Sequence, residues 1–246
     1  MTSRSPDFES TAEAYLALLK SRGIDWLFAN AGTDFAPVIE GLVRGRKAGI
    51  PMPEAVPIAH ETTAVAMAHG YYLATGKPQA VMVHVNVGMA NALMGIINAS
   101  RDQVPMLFAS GRTPLTEKGM LGSRDLPIHW GQEMFDQGSM LREFVKWDYE
   151  LRDGMQVESA VDRALSAAMS EPRGPVYLSL PREVLAEPCK GPPISPTATL
   201  KPASSAYPDP AAIAEAASIL RDAERPLIIA GGNDASAFGA AAARNG

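Results

Sequence analysis

Short apolar runs alternate with helix-like segments along most of this chain of 246 residues. Runs that stay apolar without polar alternation are typical of strands buried on both faces, and strands separated by helices usually join into a parallel sheet. We therefore predict an α/β fold with a doubly wound, six-stranded parallel sheet and helices on both faces. The predicted strands are Ile24–Ala29, Val56–Ala59, Gln79–His84, Val104–Ser110, Glu143–Trp147 and Val176–Leu180.

The predicted helices span residues 9–22, 35–48, 61–75, 90–101, 154–170 and 211–222. Seven prolines between residues 188 and 210 are too many for the interior of a helix or strand and suit an extended connector. We therefore predict a first domain at residues 1–187, a proline-rich linker at 188–208 and the start of a second α/β domain at 209–246. In that last segment we expect a strand at Pro226–Ala230, a turn at Gly231-Gly232 and a helix at Ala235–Arg244. About 38 residues are too few to bury a core of their own, so we expect the second domain to be incomplete.

Charge and composition limit the partners of the chain. It has 22 Lys and Arg residues against 27 Asp and Glu residues, a net charge of −5, with no basic run suited to nucleic acid or a membrane surface. The single cysteine, Cys189, excludes an intrachain disulfide. The first residues lack the apolar core of a signal peptide, and no apolar run is long enough to span a membrane. We expect a cytoplasmic protein that acts on small molecules.

Glu61 is the most informative single residue. It follows an apolar segment, Ala55–His60, and opens a predicted helix that is small and apolar on nearly every face. Such a helix should be buried, with its N-terminus facing the crevice where parallel strands end. A carboxylate there can simply complement the helix dipole, worth about 0.3–1 kcal/mol, or it can be chemically active. Its position alone leaves both roles open.

Four motifs along the chain, taken in order, indicate a family. They are His60–Pro78, Gly88–Ala92 with Gly95, Asn98, Ala99 and Asp102, Pro105–Gly111, and Gly174–Pro181. Together they resemble the pyrimidine-binding domain of thiamine diphosphate-dependent decarboxylases and carboligases, the group that contains acetolactate synthase and benzoylformate decarboxylase. The resemblance covers about residues 8–188.

This resemblance implies a cofactor and a reaction. The cofactor would be thiamine diphosphate, and Glu61 would hydrogen-bond N1′ of its aminopyrimidine and so promote loss of the C2 proton. The substrate would be a small-molecule 2-oxo acid, which is decarboxylated or ligated as in acetolactate synthase. Mg²⁺ would be held with the diphosphate by a C-terminal domain that is not present in this sequence, so we predict no metal-binding residues here.

Two glycine-containing turns follow predicted strands, where a backbone can approach a ligand closely. Gly32 follows the first strand and Gly88 the third. With the resemblance, Ala31, Gly32, Gly88 and Asn91 become candidate cofactor contacts, ordinary turn glycines being the alternative. The chain departs from the family at Ala31, where Pro is usual, and at Asn86-Val87, where Gly-Pro is usual.

The segment Gly111–Gln137 is long and polar, which inside a compact domain suggests an active-site loop. Gln132, with the Glu that follows it, resembles the Gln-Glu pair of acetolactate synthases, where the Gln lies near the cofactor. His129 is a second catalytic candidate, as a proton-transfer group or as a structural residue. His69 and His84 are expected to pack in the interior.

Small residues on the helices at 61–75 and 90–101 suggest an oligomer, because they suit close packing against a second subunit. They are Ala64, Ala68, Ala90, Ala92, Gly95 and Ala99. We expect a homodimer or homotetramer. In the family that the chain resembles, the cofactor lies between one subunit's pyrimidine domain and the other's C-terminal domain.

Three alternatives stay open. The chain could be a non-catalytic or split-chain module for binding or oligomerisation with the same fold, or a 2-oxo acid decarboxylase of the benzoylformate decarboxylase type. A Rossmann-type nucleotide-binding domain is disfavoured, because the sequence lacks the GxGxxG pattern that cradles a dinucleotide.

Overall fold

The structure, a computed structural model, describes residues 8–189, 194–204 and 206–228. By its internal contacts the chain divides into two compact units, residues 1–202 and 203–246. In the described part of the second unit, the predicted helix is present at Pro210–Asp222 and is capped by the side chain of Asp209. Residues 226–228 form no regular element there. The rest of the strand, turn and helix predicted after them lies outside the described residues.

Six strands form one parallel sheet in the first unit. They are β1 (Trp26–Asn30), β2 (Glu54–Pro57), β3 (Ala80–Val83), β4 (Leu107–Arg112), β5 (Asp148–Glu150) and β6 (Val176–Pro181). Their order in the sheet is β2-β1-β3-β4-β6-β5. The predicted fold class is confirmed, and all the predicted strands except the fifth overlap observed ones.

The predicted strand Glu143–Trp147 is wrong. Its apolar residues Phe144 and Val145 contact the core from a turn, in which both backbone N–H groups donate to the carbonyl of Leu141, at 2.8 and 3.1 Å. β5 pairs with β6 only at Asp148–Glu150. A short apolar run has the same appearance in a buried turn as in a buried strand, so periodicity could not separate the two.

Seven α-helices precede, connect or follow these strands in the described part of the first unit. They are α1 (Thr11–Ser21), α2 (Ala36–Ala48), α3 (Glu61–Thr75), α4 (Val85–Arg101), α5 (Pro127–Gln132), α6 (Val157–Met169) and α7 (Arg182–Ala186). The short helices α5 and α7 were not predicted, because five or six residues show too little periodicity. Among the described residues, no helix is both long and apolar enough to cross a membrane.

Helices cover both faces of the sheet, as the doubly wound prediction requires. Alternate residues of a strand point to opposite faces. In β1, Leu27 and Ala29 join the core beneath α1, α2 and α6, whereas Phe28 joins the core beneath α3 and α4. In β4, Leu107 and Phe108 divide in the same way. With both faces apolar, charged side chains gather where the strands end.

Small residues bring α3 and α4 into close contact within the chain. A Cβ atom on Gly95 of α4 would lie 2.9 Å from Cγ1 of Val65 on α3. The small residues that suggested an oligomer are buried here, with the exception of Ala90: they are Ala64, Ala68, Ala92, Gly95 and Ala99. Their assignment to a subunit contact is therefore wrong, because packing inside the chain already uses them.

Arg112, the last residue of β4, anchors the segment that follows α5. Its guanidinium bonds the carboxylates of Glu133 and Glu150, and Nη2 donates to the carbonyl of Met134 at 3.0 Å. Thr113 donates its hydroxyl to the same Glu133 carboxylate. These bonds hold the end of α5 at the carboxyl edge of the sheet.

We expect Gly95→Ala to be destabilising relative to Gly70→Ala. A Cβ at Gly95 would meet Val65 at 2.9–3.0 Å, whereas nothing lies within 4 Å of a Cβ at Gly70. In the interior of either helix, Ala is more favourable than Gly by about 1 kcal/mol. The difference in the free energy of unfolding between the two variants therefore reports the clash at Gly95 alone, which should cost about 1–3 kcal/mol. Urea unfolding measures both free energies, and equal values would contradict this packing.

We expect Arg112→Gln to lower the free energy of unfolding by about 2 kcal/mol, because it leaves two partly buried carboxylates without their cation. Hydrogen exchange should quicken in the segment after α5. The matched control is Arg142→Gln: Arg142 also bridges two carboxylates, but its side chain is 50% exposed against 13% for Arg112. Solvent screens the ion pairs of Arg142, so losing them should cost much less. Equal losses would rule out an anchoring role for Arg112.

Candidate active site

Glu61 opens α3 at the carboxyl edge of the sheet and is 8% exposed. The helix begins there because His60 caps it, with Nδ1 accepting from the N–H of Thr62 at 3.3 Å. Asn91 of α4 donates its amide to Oε2 of Glu61 at 3.2 Å, and Thr62 donates its hydroxyl to the carbonyl of Asn91 at 2.7 Å. The other oxygen, Oε1, has no hydrogen bond within the described residues. The carboxyl is thus held by one oxygen and available at the other.

His84 and Asp34 form a pair that the sequence analysis missed. His84 lies between β3 and α4, and Asp34 lies in the 3-10 turn Thr33–Phe35 after β1. Nδ1 of His84 is 2.6 Å from Oδ1 of Asp34, which is only 2% exposed. The hydrogen bond to Asp34 raises the pKa of His84; burial opposes this, and the charges of Asp34 and Glu61 add to the rise. The expected packing role of His84 is therefore incomplete.

The carboxyl ends of adjacent parallel strands explain how this pair forms. β1 and β3 are neighbours, and Asp34 and His84 each follow the end of one of them. Side chains at those ends meet at one edge. That rule, applied to every polar residue after a predicted strand, was the signal that could have found them.

Gly32 provides the space for the His84 ring. A Cβ on Gly32 would lie 2.2 Å from Cγ and Nδ1 of His84. Ala31 precedes it and is exposed. The predicted turn is present, but the absence of a side chain at Gly32 has a cause inside the chain. Cofactor contact by Ala31 and Gly32 stays a prediction.

Gly88 does not form the turn that was predicted around it. Helix α4 begins at Val85 rather than at residue 90, so Gly88 lies in its first turn, where a Cβ would be 3.0 Å from Cβ of Val83. The chain turns at Val85 instead, with φ of 34°. A β-branched residue rarely adopts that conformation, at a cost of about 1–3 kcal/mol. The N–H of Val85 donates to Oδ2 of Asp34 at 3.2 Å, which helps to hold it.

Helix α5 brings Gln132 to the same place. Its amide nitrogen is 3.5 Å from Nε2 of His84. His129 is 5% exposed, and its Nδ1 has no hydrogen-bond partner within the described residues. Burial lowers the pKa of His129, and the positive charges of Arg124, Arg182 and His84 lower it further. His129 is thus a buried imidazole of α5 whose neutral form is favoured.

A separate cleft of about 380 Å³ opens beside β5 and β6. Apart from Arg152, the charged residues of its lining pair within the chain: Arg112 with Glu150, and Arg142 with Asp136 and Asp148. The candidate catalytic residues lie elsewhere. Glu61, His84, Asp34 and Gln132 gather instead where β1 and β3 end, which supplies a carboxyl, an imidazole and an amide for acid–base chemistry.

Residues 9–140 match the family described as thiamine pyrophosphate enzyme, N-terminal TPP binding domain. Benzoylformate decarboxylase of Pseudomonas aeruginosa is 26% identical over 214 residues, which cover 87% of this chain and 38% of that protein. The acetolactate synthase large subunit of Parasynechococcus marenigrum is 27% identical over 240 residues, 96% of this chain and 37% of that protein. This chain therefore spans less than two-fifths of the length of these relatives.

Solved structures share the fold. A thiamine diphosphate-dependent 4-hydroxybenzoylformate decarboxylase of Rhodococcus jostii RHA1 aligns with a TM-score of 0.72 at 24% identity, over 89% of this chain and 38% of that one. Benzoylformate decarboxylase from Polynucleobacter necessarius aligns with a TM-score of 0.70 at 23% identity, over the same shares. Because the family match covers more than half of the chain, this protein belongs to the thiamine pyrophosphate enzymes, through their N-terminal TPP-binding domain.

Proposed function

We propose that this chain supplies the half-site that activates thiamine diphosphate in an enzyme that decarboxylates or ligates 2-oxo acids. The buried carboxyl of Glu61 carries this proposal: it is 8% exposed, and Oε1 has no hydrogen bond within the described residues. A carboxyl oxygen in this position can form a hydrogen bond with the ring nitrogen of an aminopyrimidine. Such a bond is stronger when it is shielded from water. When bound, thiamine diphosphate supplies the electron sink that lets a 2-oxo acid lose carbon dioxide.

In this proposal Glu61 shares a proton with N1′ of the aminopyrimidine, and Asn91 fixes the carboxyl through Oε2. Gln132 and His129 stay candidates beside them, Gln132 through its place next to His84. The diphosphate and Mg²⁺ would be held by a different domain of the complete enzyme. The cytoplasmic location stays a prediction from composition.

One observation favours the decarboxylase alternative over acetolactate synthase-like ligation. Decarboxylation ends when a proton replaces carbon dioxide, whereas ligation ends when a second carbonyl compound adds. His84, with its raised pKa, is a proton donor close to Glu61. The ratio of aldehyde to 2-hydroxyketone formed by the complete enzyme from a series of 2-oxo acids distinguishes the two activities.

We also propose at least a homodimer. Its surface would be the exposed apolar side chains of α3 and α4, namely Met67, Leu73, Val87 and Met94, which are 38–63% exposed. Patches of this kind often mark protein contacts. Met94→Glu should shift the complete protein toward monomer in sedimentation velocity, because it places a charge in the contact. Ile39→Glu, which changes an exposed apolar residue of α2, is the control and should have no effect. A wild-type monomer at micromolar concentration would refute the dimer.

We expect Glu61→Gln to slow the exchange of the C2 proton of bound thiamine diphosphate for deuterium by about 10²–10⁴-fold, since a positioned acid–base group contributes that much. The measurement uses the complete protein at matched cofactor saturation. Glu54→Gln, an exposed carboxylate that opens β2, is the control and should leave exchange unchanged. Equal exchange in wild type and Glu61→Gln would favour the non-catalytic module instead.

A further inference from the structure

Both carboxyl oxygens of Asp34 are engaged at the turn between β3 and α4. Oδ1 lies 2.6 Å from Nδ1 of His84, and Oδ2 accepts the N–H of Val85 at 3.2 Å. Asp34 is 2% exposed. Removing a carboxylate from water is unfavourable unless partners replace the solvent. The imidazole of His84 and the backbone N–H of Val85 are those partners, so Asp34 and His84 hold each other in place.

Two glycines clear the space for this unit. A Cβ on Gly32 would lie 2.2 Å from the His84 ring, and one on Gly111, in β4, would lie 1.9 Å from Oδ2 of Asp34. Real Cβ contacts are not that short, so any side chain at either position would displace one member of the pair. Backbone from two different strand ends thus leaves room for the same pair.

The contact fixes which nitrogen of His84 carries a proton. An ionised carboxylate only accepts hydrogen bonds, so Nδ1 must be the donor. Nε2 is then the acceptor of the neutral ring and a donor of the charged ring. Its contact with Gln132, at 3.5 Å, is longer than an ordinary hydrogen bond. The His84 side chain is 20% exposed, so Nε2 can reach another group.

Charged and titratable groups face this pair from several elements. Asp34 follows β1 and Glu61 opens α3, and both favour the charged form of His84. His129 lies on α5, and its pKa is lowered by burial and by nearby cations, so it is neutral at pH 7. Arg182, the first residue of α7, faces Asp34. Among the described residues, Asp34 is the only one of these in hydrogen-bond contact with His84.

We propose that Asp34 is a positioning residue that holds His84 with its proton on Nδ1, leaves Nε2 available for proton transfer, and sets the pH at which that transfer occurs. This inference rests on the proposed function, in which proton transfer takes place beside Glu61. In this proposal Asp34 acts through His84.

The direct test is nitrogen NMR of the complete protein labelled at histidine, without cofactor, with the His84 signal assigned from a His84→Gln variant. Wild-type His84 should show the Nδ1–H tautomer. Asp34→Asn should lower its pKa by about 1–3 pH units, because an opposite charge in contact shifts a group by that much. Asp25→Asn, which changes an acid paired with Lys20, is the control. An Nε2–H tautomer in wild type, or an unchanged titration in Asp34→Asn, overturns the proposal; the first does not depend on the folding of Asp34→Asn.

The second test is kinetic. In the loaded enzyme, the limb of the pH profile of kcat/KM that His84 controls should move to lower pH in Asp34→Asn. In a His84→Gln background, Asp34→Asn should have no further effect, because a residue that acts only through His84 has nothing left to act on. An additional loss of more than threefold would contradict the proposal. The rate at which the C2 proton of bound thiamine diphosphate exchanges in Glu61→Gln does not depend on this outcome. Failure of the proposed function and failure of the Asp34 role are therefore distinguishable.

Discussion

Burial of the parallel sheet on both faces is the constraint on which the rest of the structure depends. The four central strands, β1, β3, β4 and β6, are buried along almost their whole length, and the few polar groups inside must be satisfied locally. Gln137 shows how: its amide donates to the hydroxyl of Ser110, the carbonyl of Gly111 and the hydroxyl of Tyr177, at 2.8, 2.8 and 3.0 Å. Among these four strands the one charged residue is Arg112, the last residue of β4, so their ends are where charged side chains can take part in chemistry.

At that edge the charged groups differ in how they are compensated. Asp34 is matched by His84, and Arg112 by two carboxylates. Glu61 has only the neutral amide of Asn91 as a hydrogen-bond partner within the described residues. Oε1 of Glu61 has no hydrogen bond among the described residues, whereas both oxygens of Asp34 are engaged. This difference is why Glu61 is the candidate for cofactor activation and Asp34 the candidate for positioning.

The relatives illustrate how loosely this architecture constrains sequence. The fold is kept at 24% identity with a TM-score of 0.72. Apolar strands and closely packed helices need residues of suitable size and polarity, and many sequences provide them. Positions where any side chain would clash tolerate fewer residues: Gly95 leaves room for Val65, and Gly32 leaves room for His84.

The sequence by itself determined the fold class, the proline-rich stretch and the position of Glu61 at the start of α3, because each depends on local composition or periodicity. It also predicted Gln132, through a resemblance. Only the tertiary structure decided the place of β5, the turn at Val85 instead of Gly88, and the use of small residues between α3 and α4. The pairing of Asp34 with His84, 50 residues apart in the chain, belongs to the same group. Periodicity reports which residues are buried but not what they contact, and these features depend on which strands become neighbours.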